Sequence, residues 1–504
     1  MSTAPRVLLI NPTITSRRHA RFPLAVLSLS AALKDRYPTT ILDGNVDRAF
    51  VTTAVRLVQE GGIGAVGVSV MGGPQLTSAI AVSKAIRAAN PSVPIIWGGA
   101  FATVCPEASV NAPYVDFAVS GQGEATLTEL LDAITHRDRT VLGTIAGLTW
   151  RRADAIVRNR DRNFSAASLD RMLPYGELAD PHQYLTHTYL GERTAGYQAA
   201  LGCRFRCTFC GVATMYRGKT ALPPAERLEQ DLTYLTRRLG VNAIQFYDHN
   251  FFDREADMVP RLEVLAKFGM PWWCFARSDA LANLSERSWA LVRKSRLRMA
   301  YIGAESPSDA LLHDIRKGTR NDQTLAAIEQ CRSHGVVPEL SFMLAPPRDP
   351  EGETERTFDF IRQIKRLHPA TEVMIYIYTP LPVRADTRHP TALRMAGELR
   401  DLQGRPLVFP DSADAWTAPQ WLAYWCHKDA PWLSQRLRHR IVDFTTVLGC
   451  RFPTIMDIRA SAWGKSALRA LSSWRYRFRR YDHPWELRVS RKLIRQWDPR
   501  IMSL

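Results

Sequence analysis

Short apolar runs alternate with longer amphipathic ones over the first quarter of the chain. Val7–Ile10, Thr40–Asp43, Ala65–Val70, Pro94–Trp97 and Phe117–Val119 have the length of buried strands. Leu24–Lys34, Ala49–Glu60, Gln75–Ala89 and Thr126–Ile134 carry helical spacing between them. A βαβ rhythm of this kind predicts a parallel sheet covered on both faces, a Rossmann-like domain over residues 1–135. Residues 136–195 lose the rhythm. Trp150 to Asn163 reads as a basic hairpin and Leu169 to Asp180 as a proline-containing stretch, together a connector.

The alternation returns over 196–382. Strands are predicted at Gln198–Leu201, Ala243–Phe246, Trp272–Ala276, Met299–Gly303, Pro338–Met343 and Val373–Tyr378. Helices are predicted at Ala225–Leu239, Leu284–Lys294, Ser308–Ile315, Gln323–His334 and Glu353–Arg366. Six repeats suit a (β/α)6 partial TIM barrel, with reactive groups at the strand carboxyl ends. Residues 383–504 form a mainly helical, basic region rich in tryptophan, from Trp416 to Trp497. The fold class is therefore α/β, with that helical region appended.

Composition excludes rather than identifies. With 46% hydrophobic and 23% charged residues, the chain is neither disordered nor a membrane bundle. Met1 to Arg6 lead straight into the first strand without a signal-peptide layout, so a cytoplasmic location is expected. The formal charge of +17 is uneven. From Trp474 to the end there are nine Arg or Lys against three Asp or Glu, which points to a tail with its own surface role. There, Trp474 to Tyr481 alternates aromatic and cationic residues. Packing against the barrel mouth is the first expectation, membrane-surface contact the second and nucleic acid the last.

Of eight cysteines, five are scattered and three fall together in Cys203-Arg-Phe-Arg-Cys207-Thr-Phe-Cys210. C-x3-C-x2-C on a loop after a strand lets three thiolates converge on one inorganic cluster. Iron–sulfur clusters normally take four thiolates, so three leave one iron open to a substrate or cofactor. Zinc with a distant fourth ligand is the competing reading, although no histidine lies between His187 and His249.

With Phe209 before the last cysteine, this segment resembles the signature of the radical S-adenosylmethionine superfamily. Asp248 in Phe246–Phe252, Arg277 in Trp272–Asp279 and Glu305 in Tyr301–Ser306 are similar to that family's later strand-end segments. The resemblance implies a [4Fe-4S] cluster on Cys203, Cys207 and Cys210, and S-adenosylmethionine bound near Phe209, Asp248, Arg277 and Glu305. It implies one-electron cleavage of S-adenosylmethionine to a 5′-deoxyadenosyl radical that abstracts hydrogen. The stretch Leu344–Thr354 is longer than the family pattern and lacks its first glycine, so contacts there are not carried over.

The front segment resembles the cobalamin-binding class, on Asn11-Pro12, Pro23-Leu24, Asp43, Ser69 to Pro74 with Gly72, Gly98-Gly99, and Ser120 followed by Gly121, Gln122, Gly123 and Glu124. Glycines at strand ends let a flat corrin approach closely. The Asp-x-His-x-x-Gly motif is absent and His19 lacks its context, so no histidine is expected below the cobalt. The implied enzyme is a cobalamin-dependent radical methyltransferase acting on an unactivated carbon. A radical cyclase or oxidase with the same cofactors is the alternative, and a non-catalytic zinc or nucleic-acid binding protein the second. Expected partners are a small-molecule substrate, with hydrophobic or polycyclic compounds among the candidates, and a flavodoxin- or ferredoxin-type electron donor.

Overall fold

The computed structural model describes residues 4–166, 169–382 and 399–494; Trp497 and the rest of 383–398 and 495–504 lie outside it. The first sheet holds seven strands: β1 (Arg6–Asn11), β2 (Thr39–Asp43), β3 (Ile63–Ser69), β4 (Ile95–Gly98), β5 (Phe117–Val119), β6 (Leu148–Arg152) and β7 (Ala155–Arg158). Their order is β2-β1-β3-β4-β5-β6-β7, the first five parallel and the last two antiparallel. Leu8, Val66, Val68 and Ile95 bury one face of this sheet, and Val7, Leu9, Ala65 and Ile96 the other. That two-sided burial is why the strands read as unbroken apolar runs.

The hairpin β6–β7 is a correction to the sequence reading, which put it in the connector. Leu148 and Trp150 are buried, and they draw the hairpin onto β5 as sheet extension rather than linker.

The second sheet is built from β8 (Thr194–Tyr197), β11 (Ala243–Phe246), β12 (Trp272–Ala276), β13 (Leu297–Glu305), β14 (Val337–Leu344) and β15 (Glu372–Ile377). All six are parallel and neighbours in chain order, an open (β/α)6 barrel. A two-stranded ribbon, β9 (Leu201–Gly202) with β10 (Thr220–Ala221), sits after the first strand. The first barrel strand thus lies four residues ahead of the predicted Gln198–Leu201. The ladder to β11 stops at Tyr197, and the next amides are taken up elsewhere: Ala199 N–H donates to the Asp248 carboxylate at 2.7 Å.

A buried knot joins connector and barrel. The Tyr197 hydroxyl donates to Asp231 Oδ2 at 2.6 Å, and Arg227 Nε donates to the same oxygen at 2.7 Å. Arg227 also reaches the carbonyl of Leu169.

The C-terminal region straddles both sheets. Trp416 packs on Phe101 of the front domain, while Trp432 Nε1 donates to the carbonyl of Ala345 at the end of β14. The aromatic stretch from Trp474 to Tyr481 does not reach the barrel mouth, which Trp432 and Tyr424 already cover. Tyr476 and Tyr481 instead engage Arg362 on the outer helix Pro350–Leu367, whose guanidinium lies over the Tyr476 ring and donates to the Tyr481 hydroxyl at 2.7 Å. No described helix is long and apolar enough to cross a membrane.

Asp231→Ala strands the buried Arg227 guanidinium without its counterion. Stability is expected to fall by about 3–5 kcal/mol, read as a lowered urea midpoint. An unchanged midpoint would show that the knot contributes nothing.

Candidate functional site

Cys203 directly follows β9, and the thiol loop lies between the two strands of the ribbon. Gly202 has φ +86°, and a Cβ there would meet the Lys219 carbonyl oxygen at 2.1 Å, so only glycine lets the chain turn into the thiol loop. His249 Nδ1 accepts the Gly202 N–H at 3.2 Å. Thr208 N–H donates to the Ile315 carbonyl at 3.0 Å, and Cys210 N–H to that of Cys207 at 3.2 Å. Arg204 pairs with Asp253, which also accepts from Asn250 and Thr220. The loop is therefore tied at both ends before any ligand is considered.

Cys207 is buried and the other two thiols are half-buried. Burial pushes the Cys203 thiol above its usual range and that of Cys210 up to about 11. Two cations stand against this cost. The Arg277 guanidinium lies 3.4 Å from the centroid of the Phe205 ring, inside the loop. Arg277 is fixed by Asp279 at 3.0 Å and by the Lys317 carbonyl at 2.8 Å. Lys317 Nζ bonds Glu305 Oε1 at 2.7 Å and lies 5.9 Å from the centroid of the Phe209 ring. Burial opposes the lysine charge, but the Glu305 carboxylate and the Cys207 thiol outweigh it and raise the Lys317 pKa. Gly303 makes room for this pair: a Cβ would come within 2.3 Å of Glu305 Oε1. Glu305 itself sits at φ +62° beside a register shift of β13. That strained backbone is held where the side chain is needed.

Cys203, Cys207, Cys210, Phe209, Arg277 and Glu305 thus belong to one neighbourhood. Asp248 is buried, and its carboxylate holds the Ala199 amide; burial raises its pKa to about 7. Lys317 stands in Arg316-Lys317-Gly318, the stretch that follows the fourth-strand segment in the family resemblance, but the sequence assigned it no role; its partner Glu305 lies twelve residues before it. Among the described residues, no three His, Cys, Asp or Glu side chains are grouped to hold a single metal ion. Three thiols on one loop are one fewer than the four that an iron–sulfur cluster normally takes.

The front-domain residues form a second site. Ser69, Gly98, Gly99, Gly121, Gln122, Gly123 and Glu124 line one cavity at the carboxyl ends of β3, β4 and β5. It contains about 1300 Å³ of atom-free space, open mouth included, and its far wall comes from the barrel through Leu201, Met215 and Tyr216. Glu124 is buried; its Oε1 accepts from Ser28 at 2.7 Å, and Oε2 has no hydrogen-bond partner among the described residues. An orphaned buried carboxylate oxygen facing an apolar cavity is suited to a ligand rich in amide donors, such as cobalamin. Gly72 is the exception and a correction. A Cβ on it would lie 1.6 Å from Trp425 Cε2, because the C-terminal indole already covers that loop. His19 is exposed.

Inside the barrel the strands present a third feature that the sequence reading missed. Tyr247, Phe275, Tyr301 and Tyr376 are only half-buried, and period-two alternation puts them on the face away from the helices. Phe275 and Tyr301 meet edge to face at 5.1 Å, and the Tyr301 hydroxyl donates to Tyr376 at 2.9 Å. His427, from the C-terminal region, bonds Thr379 and is kept neutral by burial, its pKa lowered to about 4. Glu339 accepts from Trp273 Nε1 at 2.8 Å, with its pKa raised to about 8 by burial. The alternation was available as the signal; it was read only as strand.

Comparison with known proteins agrees with this arrangement. Residues 11–131 match the B12 binding domain family, and residues 197–361 match the Radical SAM superfamily. An uncharacterized methyltransferase of Pyrococcus horikoshii is 24% identical over 347 residues, covering 68% of this chain and 73% of that protein. An anaerobic magnesium-protoporphyrin IX monomethyl ester cyclase of Synechocystis is 25% identical over 58% of each chain. Among solved structures, the methyltransferase TsrM of Kitasatospora setae, with cobalamin and a [4Fe-4S] cluster bound, superposes with a TM-score of 0.62. That match has 17% identity and covers 94% of this chain and all of the other. OxsB with aqua-cobalamin gives 0.69 at 15% identity, over 97% and 75%. At such identities the two structures establish the fold.

Glu339 holds its proton in the folded protein up to about pH 8 and releases it near the ordinary glutamate value when unfolded. Its contribution is therefore full below about pH 4.5 and is lost as pH rises toward 8. Urea midpoints should fall between pH 5 and pH 8, and Glu339→Gln should flatten that slope. Parallel slopes for both proteins would refute the assignment.

Proposed function

We propose that this chain, an enzyme of the radical S-adenosylmethionine superfamily with a B12-binding domain ahead of its barrel, methylates an unactivated carbon. One observation carries the reading. The helix Gly211–Tyr216 begins directly after Cys210 and ends in the wall of the front cavity. Six residues span only about 9 Å, so one short helix joins the thiol loop to the chamber that presents Glu124.

Cys203, Cys207 and Cys210 would hold the [4Fe-4S] cluster and leave one iron for S-adenosylmethionine; the glycine-lined chamber would hold cobalamin. When bound, these groups supply a 5′-deoxyadenosyl radical that takes hydrogen and a methyl group that replaces it. The chain's own residues do the positioning. Asp248 fixes the loop ahead of Cys203 through the Ala199 amide. Arg277 and Lys317 place positive charge beside the thiolates, and the ion pair holds Glu305 in its strained position, where its carboxylate would meet the polar groups of the cofactor. Phe205 and Phe209 exclude water from the loop.

Tyr247, Phe275, Tyr301 and Tyr376 provide a largely aromatic lumen for the substrate. Such a lining favours a flat or hydrophobic small molecule, and the cyclase relative is named for a tetrapyrrole. Reducing equivalents would come from a flavodoxin- or ferredoxin-type donor. A cytoplasmic setting fits the free cysteines and the reducing chemistry.

Anaerobic reconstitution with iron, sulfide and cobalamin should give a brown protein that forms S-adenosylhomocysteine and 5′-deoxyadenosine together. 5′-Deoxyadenosine without the homocysteine product would favour cyclisation or oxidation instead. Cys207→Ala should abolish the colour and both products; a colourless wild type with one bound zinc would end the radical reading.

A further inference from the structure

Helices Ala462–Leu471, Ser473–Arg477 and Trp485–Ile494 all pack on helix Gln435–Arg451. The first of them also contacts each of the other two, so the three form one layer over that helix. The outer side of this layer is unusually apolar. Trp463 is 79% exposed, Leu493 77%, Trp485 69% and Phe478 64%, with Trp474 and Val489 each at 51%. In the last helix Trp485, Val489 and Leu493 recur every four residues, a single stripe, while Leu487 is fully buried on the other side. Monomeric proteins do not usually leave three tryptophans on one outer surface.

The same surface is strongly cationic. Between residues 459 and 494 there are ten Arg or Lys and two Asp or Glu. Some of these cations are committed internally: Arg475 to Glu486, Arg488 to Asp443 and Arg479 to Asp359. Arg469, Arg477, Arg480 and Lys492 are exposed and form no ion pair among the described residues.

We propose that this layer docks the enzyme on the surface of an anionic lipid bilayer. Tryptophan and phenylalanine sit at the headgroup level, the aliphatic Val489 and Leu493 reach the acyl boundary, and arginines meet lipid phosphates. A protein partner would have to match four cations with acidic groups and also take up the aliphatic stripe, two demands that an anionic bilayer meets together. Single-stranded nucleic acid would find rings to stack on, but the aliphatic half of the stripe would gain nothing from a base. With no described helix able to cross a bilayer, the contact is peripheral. The inference stands on this surface alone and is independent of the methyl-transfer reading.

Flotation of the reconstituted full-length enzyme tests it. The enzyme should float with vesicles of equal parts phosphatidylglycerol and phosphatidylcholine, stay in solution with phosphatidylcholine alone, and release as salt rises. Trp463→Ser with Trp485→Ser and Leu493→Ser should weaken binding at least about tenfold with the brown colour retained. Arg469→Glu with Arg477→Glu and Arg480→Glu provides a second set that removes charge and leaves the rings. Failure to float on anionic vesicles, equal flotation on neutral ones, or unchanged binding of both variant sets would overturn the proposal. So would tight binding of a single-stranded oligonucleotide in place of vesicles.

Discussion

Three sulfur atoms drawn out of water into one loop are costly unless something nearby bears positive charge. That requirement explains much of the barrel's mouth. Arg277 and Lys317 come from different strand ends, yet they meet because Arg277 also bonds the Lys317 carbonyl. The lysine in turn needs Glu305, and Glu305 needs a backbone kink and a neighbouring glycine to reach it. Breaking such a buried pair typically costs about 3–5 kcal/mol, so charge balance and loop geometry are one and the same property here. An inorganic cluster with its own positive irons completes that balance.

The two chambers are coupled by proximity rather than by a moving part. The thiol loop is pinned at Gly202, Thr208 and Arg204, and the helix leaving Cys210 ends at Tyr216 in the front cavity. Tyr216 also packs on His249, so a single aromatic contact touches the loop's anchor and the other chamber's wall. Radical chemistry needs reacting atoms held in register and shielded from solvent, and short rigid connections serve both needs.

The parallel sheets were legible because buried strands are continuously apolar; Ala243–Phe246 and Trp272–Ala276 fall where the pattern places them. Thr194–Tyr197 was not, since Thr-Ala-Gly-Tyr carries little hydrophobic signal and its position is set by pairing with β11. Spacing alone put the three cysteines on one loop, and seven of the eight front-loop residues picked from the sequence line a single cavity. Gly72 does not, because what covers it arrives from Trp425, far along the chain. The pairing role of Lys317 and the aromatic lumen escaped notice for a related reason. Both depend on which face of a strand or loop a side chain occupies, which spacing along the chain does not settle.

The strap formed by Trp416, Trp425 and Trp432 bears on the order of assembly. Asp414 meets Tyr114 across 300 positions of chain and Lys84 across 330. On a ribosome the front domain emerges long before these partners exist, with Phe101 and the Gly72 loop bare. Its sheet can close early, since its own neighbours are near in sequence. The union of front domain and barrel must wait for the C-terminal segment. A nascent chain therefore passes through an interval with an open seam between its two halves, and that interval coincides with the time when a large cofactor could enter unhindered.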